Sequence, residues 1–373
     1  MKVKTRIGTW CAVILSLAVL TACGSTSDSG SGPTGTTSKA ELDAAKKFVA
    51  EKSAPPTDLG ISTPVSKPVP AGKRIAILNC GSPACGEQVK AFKAAAEVLD
   101  WSVTEINQGQ TADTVHNAWQ QILRNVPDGV VSMIQPVSAF KSALETLSER
   151  GVPIVDCCSL NDPQGALKYS AGGLEDAAGV GEMMAAKMMV DSDGTGMSVF
   201  LSTPAFPVLA ETERAYLAYV KEHCKGCGTD TLELAATDIA EGSIATKVVS
   251  YLRTHQDVKY VIGGFDDEFL GMPAALRQAN LKGVKLIGQN PTATTIPYIK
   301  DGTELASISY PSAEYQWLLA DVLARLFVGD DIGVDKILLP RRIIDATAVE
   351  DVDEAPQIPD YEEKFAALWG KSS

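Results

Sequence analysis

In a chain of 373 residues, chemistry has to be sought first where reactive side chains cluster. The three histidines, His116, His223 and His255, all fall inside helical patterns, and none stands in a His-Glu-x-x-His or triad-like arrangement. Gly179-Val180-Gly181 has no third glycine and follows no recognisable strand, so it reads as packing and not as a dinucleotide loop. Asp191-Ser192-Asp193-Gly194 opens like a calcium loop, but no glutamate follows at the required spacing, and it reads as a turn. What remains is a set of short polar groups and cysteines at the ends of apolar runs. None of these groups is paired for catalysis, so an enzyme is not expected, and neither is a cofactor or a metal.

The amino-terminal end says where such a protein would work. Lys2, Lys4 and Arg6 precede a mostly apolar run, Ile7 to Leu20, which is shorter than the ~20 residues of a spanning helix and resembles a secretion signal. It ends at Leu20-Thr21-Ala22-Cys23-Gly24, which resembles the lipobox of bacterial lipoproteins. That resemblance implies lipidation of Cys23, cleavage before it, and a membrane anchor on the extracytoplasmic face, firm because several acyl chains each contribute ~0.8 kcal/mol per buried methylene. Gly24 to Lys39, rich in Gly, Ser and Thr, has too little apolar surface to order itself.

The formal net charge of −13 becomes more negative once the basic leader is removed, which makes nucleic acid an improbable partner. Of the eight cysteines, Cys11 leaves with the leader and Cys23 is the lipid site. In an oxidising compartment the local set is preferred: Cys80 with Cys85, Cys224 with Cys227, and Cys157 and Cys158 either bridged to each other or left as thiols. Zinc is the competing reading of Cys224-Lys225-Gly226-Cys227, but no second pair follows at finger-like spacing.

The elements that must position these groups alternate. From Arg74, Val- and Ile-rich runs (Arg74 to Asn79, Ser102 to Ile106, Gly129 to Ile134, Pro153 to Cys157) are separated by helical stretches, Gln88 to Leu99, Thr111 to Asn125 and Ala139 to Arg150. The scheme repeats with runs near Ser198 to Leu201, Thr231 to Leu234, Tyr260 to Gly263 and Lys285 to Gly288. The class is α/β, with two doubly wound parallel-sheet lobes. A further helix over Ala313 to Phe327 and strands at Ala306 to Tyr310 and Arg342 to Ile344 suggest that the chain crosses between lobes more than once.

Several segments, in this order, resemble the type I periplasmic binding proteins of sugar importers, ribose-binding branch: Gly129 to Val137, Gly151-Val152-Pro153-Ile154-Val155, Gly263 to Gly271 with Asp266-Asp267-Glu268, and Gly283 to Pro291 before Ile299-Lys300-Asp301-Gly302. The resemblance covers most of Lys73 to Asp345. It implies two lobes joined by three hinge strands, here near Cys158 to Leu160, Asn290 to Thr292 and Ser309 to Pro311, with the ligand in the cleft between them. The expected division is 1–23 leader, 24–72 linker with a short helix, 73–158 plus 291–309 first lobe, 159–290 plus 310–345 second lobe, and 346–373 tail with a short helix. Lobe closure on a small polar ligand, sugar-like, polyol or related, would be read by the permease of an ABC importer. A sensory protein that reports to a receptor, or a scavenger, would use the same cleft. A monomer is expected.

The resemblance also nominates cleft residues. Asn79 and Ser82 belong to the first loop, Asn79 to Gly86, where sugar binders place stacking aromatics that are missing here; Gln135 ends the third strand. Cys158 and Ser159 stand where the ribose-like pattern has Asp-Arg, with Asp156 two residues earlier. Thr212 replaces an arginine, and Arg214 matches a more structural one. Asp266 occupies a position often held by asparagine, Asp267 is suited to capping a following helix, Asn290 replaces an aspartate, and Tyr310 replaces a glutamine. With few positive groups pointing inward, an unmodified pentose and a strongly anionic ligand are both disfavoured.

Overall fold

A computed structural model describes residues 31–371 apart from 82, 110, 205, 333–337 and 350–357. The leader, the lipid-site Cys23 and Ser82 therefore lie outside the described residues.

The chain opens with α1 (Lys39–Ser53), started by a reciprocal cap in which Glu41 N–H donates to Ser38 Oγ and Ser38 N–H to the Glu41 carboxylate. The first lobe follows as β1 (Arg74–Asn79), α2 (Pro83–Val98), β2 (Ser102–Asn107), α3 (Ala112–Arg124), β3 (Gly129–Met133), α4 (Lys141–Glu149), β4 (Ile154–Cys157) and β5 (Leu167–Ala171). The second lobe holds α5 (Leu174–Asp191), β6 (Met197–Ser202), α6 (Pro207–His223), β7 (Gly228–Glu233), α7 (Ala236–Glu241), α8 (Ile244–Thr254), β8 (Tyr260–Gly263), α9 (Met272–Gln278), β9 (Lys285–Gln289), α10 (Ile296–Lys300) and β10 (Glu304–Ile308). The chain closes with α11 (Ser312–Val328), β11 (Ile343–Ile344) and α12 (Tyr361–Leu368).

Two sheets result, ordered β2-β1-β3-β4-β5 and β11-β10-β9-β8-β6-β7, parallel throughout except for β11, which runs antiparallel to β10. The central strands are buried on both faces, as in β3 and β4, and this is why they are mostly apolar, with Ser132 and Asp156 as buried polar exceptions. Helices cover them with single apolar faces. In α3, Val115, Ala118, Trp119 and Ile122 turn inward, and the Trp119 ring stacks on Phe140 at 4.4 Å.

The lobe boundaries differ from the expected ones. Residues 291–309 belong to the second lobe, because β10 pairs with β9 (Ser307 with Gly288, Ile308 with Gln289) and with β11. Conversely β5 joins the first sheet beside β4, and α11 packs on α2, β4 and β5 with α12 laid over it, Trp317 stacking on Trp369 at 5.5 Å. Two physical reasons explain the shift. An apolar run reports burial but not which sheet it joins, and α11 is buried almost all round from Glu314 to Arg325, which requires cover on both sides. The crossings between lobes therefore fall at Gly172-Gly173, at Ser309 to Pro311 as expected, and along the segment leading to Arg342; neither Cys158 to Leu160 nor Asn290 to Thr292 is a crossing.

The amino-terminal segment ties the lobes together. Ala45 and Val49 of α1 enter the core of the second lobe, and Leu59 and Val69 enter that of the first.

Gly179-Val180-Gly181 lies within α5, after a strand, β5, that was not anticipated. It is packing nonetheless: a Cβ on Gly181 would come within 2.2 Å of the Thr212 carbonyl oxygen and 2.7 Å of the Tyr216 nitrogen, so glycine is what lets α5 and α6 meet closely. Gly181→Ala is expected to destabilise by ~1–3 kcal/mol through overpacking. Urea unfolding would measure it, and an unchanged midpoint would show that the two helices part without cost.

Candidate functional site

In open parallel sheets the loops diverge beyond the carboxyl ends of the strands, and ligands bind there. These ends of the two sheets face one another around a cavity of ≈ 140 Å³ lined by Cys158 after β4, Gly172 after β5, Asp176 and Ala177 of α5, Val208, Leu209 and Thr212 of α6, Phe265 after β8, Gln289 and Asn290 at the end of β9, Tyr310 after β10, and Arg341 before β11. Two larger hollows of ≈ 440 Å³ each lie at the opposite strand ends, one beside Lys73, Pro127 and Pro153, the other beside Val258 and Val284. Each of these is lined by residues of one lobe only, whereas the smaller cavity is lined from both, so the smaller cavity is the candidate site.

The first-lobe wall is made by the neighbouring cysteines. Cys157 and Cys158 are bonded to each other, and Cys158 adopts φ 68°, a left-handed conformation uncommon for a residue with a side chain. The Tyr310 hydroxyl lies 2.7 Å from Cys158 Sγ and 3.8 Å from Cys157 Sγ. Cys80 is bonded to Cys85 and Cys224 to Cys227.

A charge cluster that sequence reasoning missed lies at the hinge. Arg341 Nε donates to Asp176 Oδ1 at 2.9 Å, Nη2 donates to Asp176 Oδ2, and Nη1 donates to the Ser309 carbonyl at 2.9 Å. Tyr315 Oη donates to Asp176 Oδ2 at 2.9 Å, and the guanidinium lies 4.7 Å from the Tyr310 ring centre. Burial by itself disfavours the cation, but the charge of Asp176, its hydrogen bonds and the neighbouring tyrosines reverse this and hold the guanidinium pKa above its ordinary value. Arg341 is the one positive group among the cavity's lining residues, and Asp176 neutralises it. The one sequence signal was the adjacent pair Arg341-Arg342 immediately before the apolar Ile343-Ile344, which by itself does not say which way either side chain turns.

Of the nominated residues, the cavity brings together Cys158, Thr212, Asn290 and Tyr310. Thr212 is fully buried, and its Oγ1 directs its proton at the Ala177 and Val208 carbonyls, at 3.2 and 3.3 Å. Asn290 adopts φ 61°, a conformation asparagine tolerates, and its side chain is exposed to the cleft. Asp156 and Ser159 are buried behind this wall: Ser159 Oγ and Asn161 Nδ2 (2.8 Å) both donate to Asp156 Oδ2. Burial raises the Asp156 carboxyl to about 7 against the lowering effect of these donors.

Three nominations fall elsewhere. Asn79 spends its side chain locally, donating to Glu105 Oε1 at 2.7 Å and accepting from Gly81 N–H at 2.8 Å. Gln135 is half-buried and holds Asn161 Nδ2 with its backbone carbonyl at 2.7 Å. Asp266 turns into the second-lobe interior, where it accepts from Ser307 Oγ at 2.8 Å and Thr295 Oγ1 at 3.3 Å and meets Glu304. The reason is the short 3-10 turn Asp266–Phe269, which rotates its first residue inward after the strand end. Asp267 does not cap the helix after it; α9 starts at Gly271 with no side-chain cap. Arg214 pairs with Glu211 at 2.5 Å on the surface of α6, a structural contact. Among the described residues no group of three or more His, Cys, Asp or Glu side chains is placed to hold a metal ion.

Comparison with known proteins agrees with this geometry. Solved structures of similar fold include an ABC transporter periplasmic solute binding protein from Actinobacillus succinogenes with bound D-allose (15% identity, TM-score 0.64, covering 75% of this chain and 100% of that one). Another is an ABC transporter solute binding protein from Agrobacterium vitis with bound allitol (17%, TM-score 0.62, 76% and 98%). A periplasmic ribose ABC transporter protein from Conexibacter woesei is also similar (21%, TM-score 0.61, 78% and 97%). At these identities they establish the fold. A search of curated proteins gives no match. A family model, the periplasmic binding protein domain, matches residues 80–331, which span both lobes and the cavity between them, and on that match the chain belongs to the periplasmic binding protein domain family.

Proposed function

We propose that this protein is a lipid-anchored, extracytoplasmic solute-binding protein that captures a small, oxygen-rich molecule by closing its lobes and delivers it to the permease of an ABC importer. The observation that carries the reading is the cavity itself, walled by strand ends of both lobes and by residues of the hinge crossings, Gly172, Tyr310 and Arg341. A ligand there touches both lobes only when they are together, so its binding energy is spent on closure, and the closed shape is what a permease distinguishes. The bound D-allose and allitol of the similar structures support a sugar or polyol as the class to test first. The leader and Cys23 supply the anchor, and the chain acts as a monomer.

A true ligand at 100 times its dissociation constant adds ~2.7 kcal/mol to stability. A thermal-shift screen of sugars, polyols and small oxygenated aromatics is expected to reveal a compound that raises the melting temperature and compacts the protein in solution scattering. A screen in which every compound leaves both unchanged would remove the carrier reading.

A further inference from the structure

Within the proposed binding role one cavity residue still has unspent capacity. A guanidinium carries five N–H groups, and those of Arg341 meet Asp176 twice and the Ser309 carbonyl once, which leaves one N–H on each terminal nitrogen without an acceptor among the described residues. The side chain is only 7% exposed, yet it lines the cavity. Solvation of these donors therefore falls to whatever fills that space. Asp176 cancels the positive charge, and the remaining cavity residues are uncharged, so an anion gains no net counter-charge there. The guanidinium cannot swing away, because it is held between its carboxylate and the Tyr310 ring, which is itself fixed by the Cys158 sulfur. The same cavity is also lined by Val208, Leu209 and Phe265, which offer no hydrogen-bonding side chain.

We propose that Arg341 is the ligand-orienting donor of the cleft, presenting its two remaining N–H groups to adjacent oxygen atoms of a compact, uncharged ligand whose C–H face lies on the apolar wall. Neighbouring hydroxyls of a deoxysugar or cyclic polyol have that form. The inference rests on the carrier reading, and it adds the residue that orients the ligand and the charge class it selects.

The test is isothermal titration of the full chain with L-rhamnose, L-fucose, D-ribose, allitol and gluconate, then with monodeoxy analogues of the tightest binder, for wild type and Arg341→Lys. Lysine keeps the charge beside Asp176 but loses the planar fork. Uncharged compounds are expected to bind and gluconate is not. In wild type, removing one hydroxyl from the ligand is expected to weaken binding about tenfold or more, the scale of a hydrogen bond to a charged group. In Arg341→Lys the parent weakens by a similar factor, and that analogue and its parent bind nearly alike. A residue that only braces the hinge would weaken parent and analogue equally and preserve their ratio, and that result overturns the proposal. Preference for gluconate overturns it as well. If no compound binds wild type, the carrier reading fails first and takes this inference with it.

Discussion

Asp176→Ala is expected to lower the unfolding free energy by about 3–5 kcal/mol, because it leaves the guanidinium of Arg341 buried without its counter-charge. Both side chains are nearly inaccessible, at 7% for Arg341 and 4% for Asp176. The substitution also strips the acceptor from Tyr315. The double variant Asp176→Leu with Arg341→Met removes both charges and is expected to recover most of the loss, since a buried ion pair has already given up much of its Coulomb attraction to desolvation. Urea unfolding of the three proteins gives the comparison. A loss below about 1 kcal/mol in the single variant, the scale of an exposed pair, would mean that water reaches the cluster. A double variant no better than the single would mean that the pair is needed for the shape of the hinge. The distinction matters for function, because Asp176 sits on α5 of the second lobe, Tyr315 on α11 against the first, and Arg341 on the segment that returns between them. The cluster joins the elements that closure has to move.

Much of the architecture was legible because burial leaves a direct trace in composition. Strands such as β1, β3, β8 and β9, covered on both faces, had to be mostly apolar along their buried length, and the intervening helices had to show one apolar side. The strand that escaped, β5, lies at the sheet edge and places exposed Lys168 between buried Leu167 and Tyr169, an alternation too short to distinguish from loop. Its omission moved the first crossing by more than ten residues and carried the lobe assignments with it. The candidate site was legible where a strand end alone decides position, as at Cys158, Asn290 and Tyr310. It was not legible where a side chain's direction decides, as at Asp266, which a single 3-10 turn rotates into the core. Arg341 lay furthest out of reach, because its place in the cavity depends on a short antiparallel pairing of β11 with β10, reached only after the chain has passed through α11 on the first lobe.

Stability is expected to fall as pH rises from about 4 to about 8, the reverse of the usual acid denaturation. Three buried carboxyl sites set the window. Desolvation raises Asp156 to about 7 and Glu268 to about 8, and it raises the Asp266–Glu304 pair, whose like charges resist ionising together. Hydrogen bonding agrees with a retained proton there: Asp266 Oδ1 and both oxygens of Glu304 have no protein donor among the described residues, so a proton held between the two carboxyls is the arrangement that satisfies them. In the unfolded chain these groups deprotonate near 4. Above that value the folded state therefore holds more protons than the unfolded state, and the unfolding free energy declines by ~1.4 kcal/mol per pH unit for each such group until the pH passes that group's raised folded value, about 7 for Asp156 and about 8 for Glu268. Carboxyls with lowered pKa, such as Asp238 at about 2, change their contribution only below this window. Glu268→Gln keeps the acceptor that receives Gly264 N–H at 2.8 Å, removes one titration, and should flatten the slope without affecting stability near pH 5. Chemical unfolding from pH 5 to 8.5 would measure both proteins. A wild-type curve that is flat or rising across that range would mean that these carboxyls are ionised in the folded state, and that the second lobe is built around solvated charge instead of shared protons.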